Sequence, residues 1–152
     1  MVCFTLDCEG GGFLVKKYII ICLLFLSPIH TFAEAPYIPP EQSREELYQD
    51  IFLSLLTPQV DEVIGDFYKK EAGLTCVTVY PYQTVVEQVD RIGAYRSFVF
   101  EVTLRVNPVV GAHNPVGEDR LRFEVGGSGE VKLLEHEHIR SIELPGWQKC
   151  SS

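Results

Sequence analysis

Residues 98–106 place Phe98, Phe100, Val102, Leu104 and Val106 in strict alternation with Val99, Glu101, Thr103 and Arg105. A period of two belongs to a strand with one buried and one wet face. Burying the five side chains is worth about 1.5–3 kcal/mol each before chain entropy is subtracted. The stretch 98–110 is therefore expected to be the central antiparallel strand, and the other elements have to cover one of its faces. It runs into Gly111-Ala112-His113-Asn114-Pro115-Val116-Gly117, a stiff polar turn, because Asn114 is barred from helical geometry by the proline that follows it.

The cover comes from the N-terminal side. Ser43 and Glu46 fit a capping box at a helix start. Leu47, Ile51 and Leu55, with Tyr48, Phe52 and Leu56 beside them, recur at helical spacing. Thr57-Pro58 is read as the stop of this helix and the start of a second, with Thr57 as N-cap and Pro58 in the first helical position. Val60, Ile64, Phe67 and Tyr68 form the apolar stripe of that second helix, Lys69 and Lys70 suit its negative end, and Gly73 closes it.

The remaining pattern is β. Residues 75–79 and 83–89 read as one strand interrupted at Pro81, an edge or bulge signal. Leu121, Phe123 and Val125 alternate with Arg120, Arg122 and Glu124, residues 126–129 make a tight hairpin turn, and Val131 and Leu133 begin a last strand that reaches about residue 142. The expected fold class is α+β: two N-terminal helices packed on a curved four-stranded antiparallel meander, cystatin-like or nuclear-transport-factor-like in outline. The outline concerns shape alone.

Upstream, Lys16 and Lys17 precede the apolar run 18–26, which is followed by Pro28 and by Thr31-Phe32-Ala33. That order is a secretory signal peptide over residues 15–33, cut after Ala33. The run is far short of the ~20 residues that span a bilayer. Residues 1–14 are expected to be a mis-annotated upstream extension, with translation starting near Val15, and 34–42, with Pro36, Pro39 and Pro40, a proline-rich tether before a single domain at 43–152. From residue 34 onward 19 acidic and 11 basic residues leave a net charge of −8 and no basic stripe, which argues against nucleic acid and anionic lipid as partners. Of the cysteines only Cys76 and Cys150 follow the leader, and in an oxidising exterior they can form one disulfide or remain two thiols.

The chemistry-bearing residues concentrate at one end of the expected sheet. In a meander, the loop after the second strand and the far part of the fourth lie together, so His113 can neighbour His136 and His138. His136 and His138 share a strand face ~6.5–7 Å apart by strand rise, a spacing that suits Zn²⁺ if the rings converge, with Glu118 and Asp119 near enough to supply oxygen. Register decides which face they use. Pairing Val131 with Phe123 and Leu133 with Leu121 sends the two histidines to solvent beside Arg120 and Arg122. Ser97 and Ser141 stand in no recognisable nucleophile context.

Residues 55–60 (Leu-Leu-Thr-Pro-Gln-Val), 64–68 (Ile-Gly-Asp-Phe-Tyr), the Gly-Ala-His-Asn-Pro stretch at 111–115 with Gly117, and a late histidine at 136 or 138 give the chain its family look. It resembles the secreted domain-of-unknown-function family 3888 of spore-forming Gram-positive bacteria. The resemblance implies secretion, a small α+β domain and no assigned activity. Val116 stands where that family usually has a second proline.

The leading functional expectation is a non-enzymatic secreted binding module that meets an envelope or extracellular partner through His113, Asn114, Pro115 and Asp119 at the loop end. A metal-binding protein or metal-dependent enzyme using His113, His136 and His138 is the alternative. A cystatin-style protease inhibitor, its loops wedged into a cleft, is a third.

Overall fold

A computed structural model describes residues 35–111 and 113–144. The expected upstream extension, the expected signal peptide and Cys150 lie outside the described residues. Among the described residues the chain is α+β, with one helix, α1 (Arg44–Ala72), followed by β1 (Val77–Thr78), a 3-10 turn (Pro81–Gln83), β2 (Thr84–Arg91), β3 (Phe100–Val106), β4 (Val109–Val110), β5 (Asn114–Pro115), β6 (Gly117–Val125) and β7 (Val131–Ser141).

The expected pair of helices is a single helix of 29 residues. Its start is as read: Ser43 Oγ accepts from the Glu46 amide at 3.0 Å, while the Glu46 carboxylate takes the Gln42 amide. Its end is also as read, with Gly73 in the left-handed region at φ 66°. Thr57-Pro58 does not interrupt it. Thr57 Oγ1 donates back to the Leu53 carbonyl at 2.9 Å instead of capping a new helix. Pro58 lies on the wet side of the helix, as does Ser54, whose carbonyl loses its amide partner and meets water instead. The decisive term is the buried stripe Leu53, Leu56, Val60, Ile64 and Tyr68, which keeps helical phase straight through the proline. A mid-helix proline costs about 3 kcal/mol, and burying the stripe returns more than that at about 1.5–3 kcal/mol per side chain. Pro58→Ala is accordingly expected to raise the unfolding free energy by about 1–3 kcal/mol in urea titration. A loss of stability would mean that the chain breaks at this point after all.

The strands form two antiparallel sheets, not one four-stranded meander: β2-β3-β6-β7, and a small sheet β1-β4-β5. Residues 75–89 split between them because the Pro81 turn redirects the chain, and the long strand predicted over 98–110 ends at Val106 and resumes as β4 beyond the buried Pro108. Val102, Leu104 and Val106 of β3 are enclosed, as are Leu121 and Phe123 of β6, and these pack under α1 to form the core. Phe98 stays exposed and outside the strand. Asp61 of α1 ties the small sheet down by accepting from the Val79 amide (2.8 Å) and the Thr78 hydroxyl (3.3 Å).

β7 overturns the expected register. Val131 pairs with Val125 and Leu133 with Phe123, and then a bulge at Leu134 lets Arg122 face Glu135 and Leu121 face His136. One extra residue reverses the side chains that follow it, so as far as His138 the histidines turn inward while Glu135 and Glu137 turn outward. On that outer face Arg120 bonds Glu87 (2.7 Å) and Glu137 (2.5 Å), and Arg122 bonds Glu135 (3.0 Å). The arginines expected beside the histidines have carboxylate partners of their own.

Candidate functional site

The inward turn of β7 brings two imidazoles onto a carboxylate that has no exposed surface. Asp119, on the inner face of β6, is 0 % exposed. Its Oδ1 accepts from His136 Nε2 at 2.9 Å and from His138 Nδ1 at 2.8 Å, and its Oδ2 accepts from the Tyr68 hydroxyl at 2.8 Å. Tyr68 reaches it from the last turns of α1 as the final member of the buried stripe. Phe67 fills the space beside the rings, with its centroid 4.7 Å from that of His136 and 5.0 Å from that of His138. The far nitrogen of His138, Nε2, lies 2.8 Å from Ser141 Oγ.

A buried carboxylate is normally pushed toward its neutral form. Burial does push the Asp119 carboxyl up, but the hydrogen bonds from His136, His138 and Tyr68 outweigh it and hold its pKa below the ordinary value. Burial, reinforced by the hydrogen bond to Asp119, pushes the Tyr68 phenol far above its usual range. At neutral pH the Asp119 carboxylate is an anion solvated by protein donors instead of water. Because both ring N–H groups donate to one carboxylate oxygen, those two nitrogens have no in-plane lone pair to offer a metal ion.

His113 makes its contacts elsewhere. It sits at φ 64° in the β4–β5 turn, with Nδ1 3.1 Å from the Tyr82 hydroxyl and its ring 4.9 Å from that of Tyr80. Asn114 donates to the Val110 carbonyl across the same turn, and Pro115 pairs with Val109. Among the described residues no group of three or more His, Cys, Asp or Glu side chains is disposed to hold a metal ion. The set His113, His136 and His138 is thus not assembled. Nor can Asp119 serve the expected loop-end binding surface with His113, Asn114 and Pro115, because it is enclosed. Sequence reasoning missed Tyr68 and Ser141. Tyr68 shows only as a core position, and Ser141 acquires its neighbour through a bulge that leaves no mark in the sequence.

At the other end of β6 the core stays open. Tyr48, Phe52, Val86, Val89, Phe100, Val102 and Val125 line a groove of about 380 Å³ between the first half of α1 and the sheet, with Gln49 as its one amide side chain. The apolar surface continues on the helix to Leu47, Ile51 and Leu55, the last 71 % exposed.

These features define a small α+β domain in which one long helix clamps a sheet at a buried carboxylate and leaves an apolar groove beyond it. A family model described as a protein of unknown function, DUF3888, matches residues 48–140. The chain belongs to that family. The matched span contains Tyr68, Asp119, His136 and His138 and stops one residue before Ser141. No curated protein and no solved structure matches the chain.

Proposed function

We propose that the protein is exported and acts in the cell envelope or the medium as a binding domain that takes a neutral hydrocarbon chain in the groove between α1 and the sheet. The groove carries this reading. Its volume of about 380 Å³ is within the range of small-molecule sites, and its walls are aliphatic and aromatic with little polar lining. A chain with a net charge of −8 disfavours anionic ligands and anionic surfaces, so a neutral apolar ligand is the best chemical match. Export is supported by the leader at 15–33 and by the family resemblance. A Cys76–Cys150 disulfide belongs to the same proposal, and Cys76 is not a free side chain.

The test is a fluorescence titration of the purified protein with N-phenyl-1-naphthylamine, a neutral apolar probe. Saturable enhancement is expected, weakened by at least about tenfold in Val89→Lys, because a half-exposed valine at the groove wall becomes a charge that an apolar ligand cannot solvate. Absent saturation, or equal affinity in a folded Val89→Lys protein, would overturn the reading.

A further inference from the structure

The geometry points to a nucleophilic site at the opposite end of β6: Ser141 as an acyl acceptor, His138 as its base, and Asp119 as the group that positions His138. In an unbroken strand, residues three apart face opposite sides. Here a second bulge in β7 intervenes. Asp119 pairs with His138 but Glu118 with Arg140 and Gly117 with Ser141. Asp119 and Gly117 share the inner face of β6, so His138 and Ser141 fall on one side of β7.

The hydrogen bonds then run in sequence. His138 Nδ1–H donates to Asp119 Oδ1 at 2.8 Å, which leaves Nε2 as the acceptor 2.8 Å from Ser141 Oγ. This is the arrangement in which a buried carboxylate fixes the tautomer and orientation of an imidazole that in turn activates a hydroxyl. Asp119 is itself fixed through its second oxygen by Tyr68. His136 shares Oδ1 but stands packed edge-on against Phe67, so His138 is the histidine with a hydroxyl in reach. Ser141 is exposed and lies on the wall of a separate pocket of about 180 Å³ whose other walls include Ala72, Leu74, Val116, Ile142 and Leu144. That pocket has room for a short acyl chain and not for a long one.

The substrate class is a short-chain carboxylic ester. Ser141 Oγ adds to the carbonyl carbon as its proton passes to His138 Nε2. Collapse of the adduct breaks the bond to the alcohol oxygen, which leaves with that proton, and the acyl group stays on Ser141. Water then adds to the acyl carbon, giving a proton to Nε2. The second collapse returns that proton to Oγ and releases the acid. The site owes nothing to the hydrocarbon groove, and either can fail alone.

The experiment is labelling of the purified protein with an alkyl fluorophosphonate, followed by peptide mapping, with p-nitrophenyl butyrate and p-nitrophenyl palmitate hydrolysis in parallel. An adduct on Ser141 is expected, lost in Ser141→Ala, whose exposed position leaves the fold intact by circular dichroism. The labelling rate is expected to fall about 100-fold or more in His138→Gln, and butyrate to be preferred to palmitate. No adduct on Ser141 in the folded protein, or an unchanged rate in His138→Gln, would overturn the assignment. Should His138→Gln not fold, the pH dependence of wild-type labelling decides. A rise to a plateau through a single ionisation is the expected result, and a rate that climbs with hydroxide without levelling overturns it.

Discussion

Asp119→Ala is expected to remove about 3–5 kcal/mol of folding free energy, the range found when one member of a buried charged network is deleted. The residue has no exposed surface and is the acceptor for three donors, the ring N–H groups of His136 and His138 and the Tyr68 hydroxyl. Each donor left without a partner costs about 1–3 kcal/mol if it cannot reach water. Tyr68, at 3 % exposure, has no such route, whereas the imidazoles of His136 and His138, 16 % and 26 % exposed, can turn partly outward. The sum therefore falls short of three full penalties. Asp119→Asn keeps the shape and one acceptor oxygen and should cost less. Urea titration of both variants checks this, and a loss below about 1 kcal/mol for Asp119→Ala would mean that the cluster does not form in solution.

The same residues set the pH limits. Asp119 has a folded pKa below its ordinary 3.8, so its contribution is complete above that value and is lost as pH falls through the folded pKa. Tyr68 has a folded pKa above its ordinary 10.0, so its contribution is complete below pH 10.0 and is lost as pH rises beyond it, where the unfolded phenol ionises and the folded one does not. Tyr68→Phe should flatten the alkaline limb of the stability curve, and Asp119→Asn the acid limb.

Much of this scaffold is legible in the sequence where a single physical rule dominates. The alternation of β3 survives because one face is buried and the other wet. The caps at Ser43 and Gly73 survive because they depend on local backbone chemistry alone. Pro58 misleads because its cost is local while the stripe from Leu53 to Tyr68 is cooperative. The first helical turns mislead in the opposite sense: Leu47, Ile51 and Leu55 have the spacing of a core face yet stay exposed beside an open groove. The site is the least legible part. The orientation of His136 and His138 depends on one extra residue at Leu134, and its trace in the sequence is the adjacent pair Leu133-Leu134, which breaks the alternation but does not say which way the later side chains turn. The Tyr68–Asp119 bond joins positions 51 apart, a distance that no local pattern encodes.

Gly117 links the scaffold to the site, and Gly117→Ala is expected to cost about 3 kcal/mol or more, at the upper end of overpacking. Its backbone does not adopt the left-handed region that favours glycine, so the constraint is space. A methyl group there would overlap the Tyr68 hydroxyl oxygen, come within 2.7 Å of the Arg140 carbonyl and press on His138 Cε1 at 3.3 Å. The hydroxyl is held by Asp119 and the carbonyl belongs to β7, so relief requires either breaking the Tyr68–Asp119 bond or parting β6 from β7. Adding Tyr68→Phe removes the first obstruction and leaves the second. The two substitutions together should therefore cost less than the sum of their separate costs by about 1 kcal/mol or more, the coupling expected of residues in contact. Gly65→Ala is the control. It lies within α1 with no atom beyond its chain neighbours and the helix's own backbone within 4 Å of the new methyl group, and alanine there should stabilise the helix by up to about 1 kcal/mol. Urea titration of the variants separates the cases. Equal tolerance of alanine at 65 and 117 would show that Tyr68 does not occupy the space beside Gly117, and the carboxylate cluster would then lose the contact that joins it to α1.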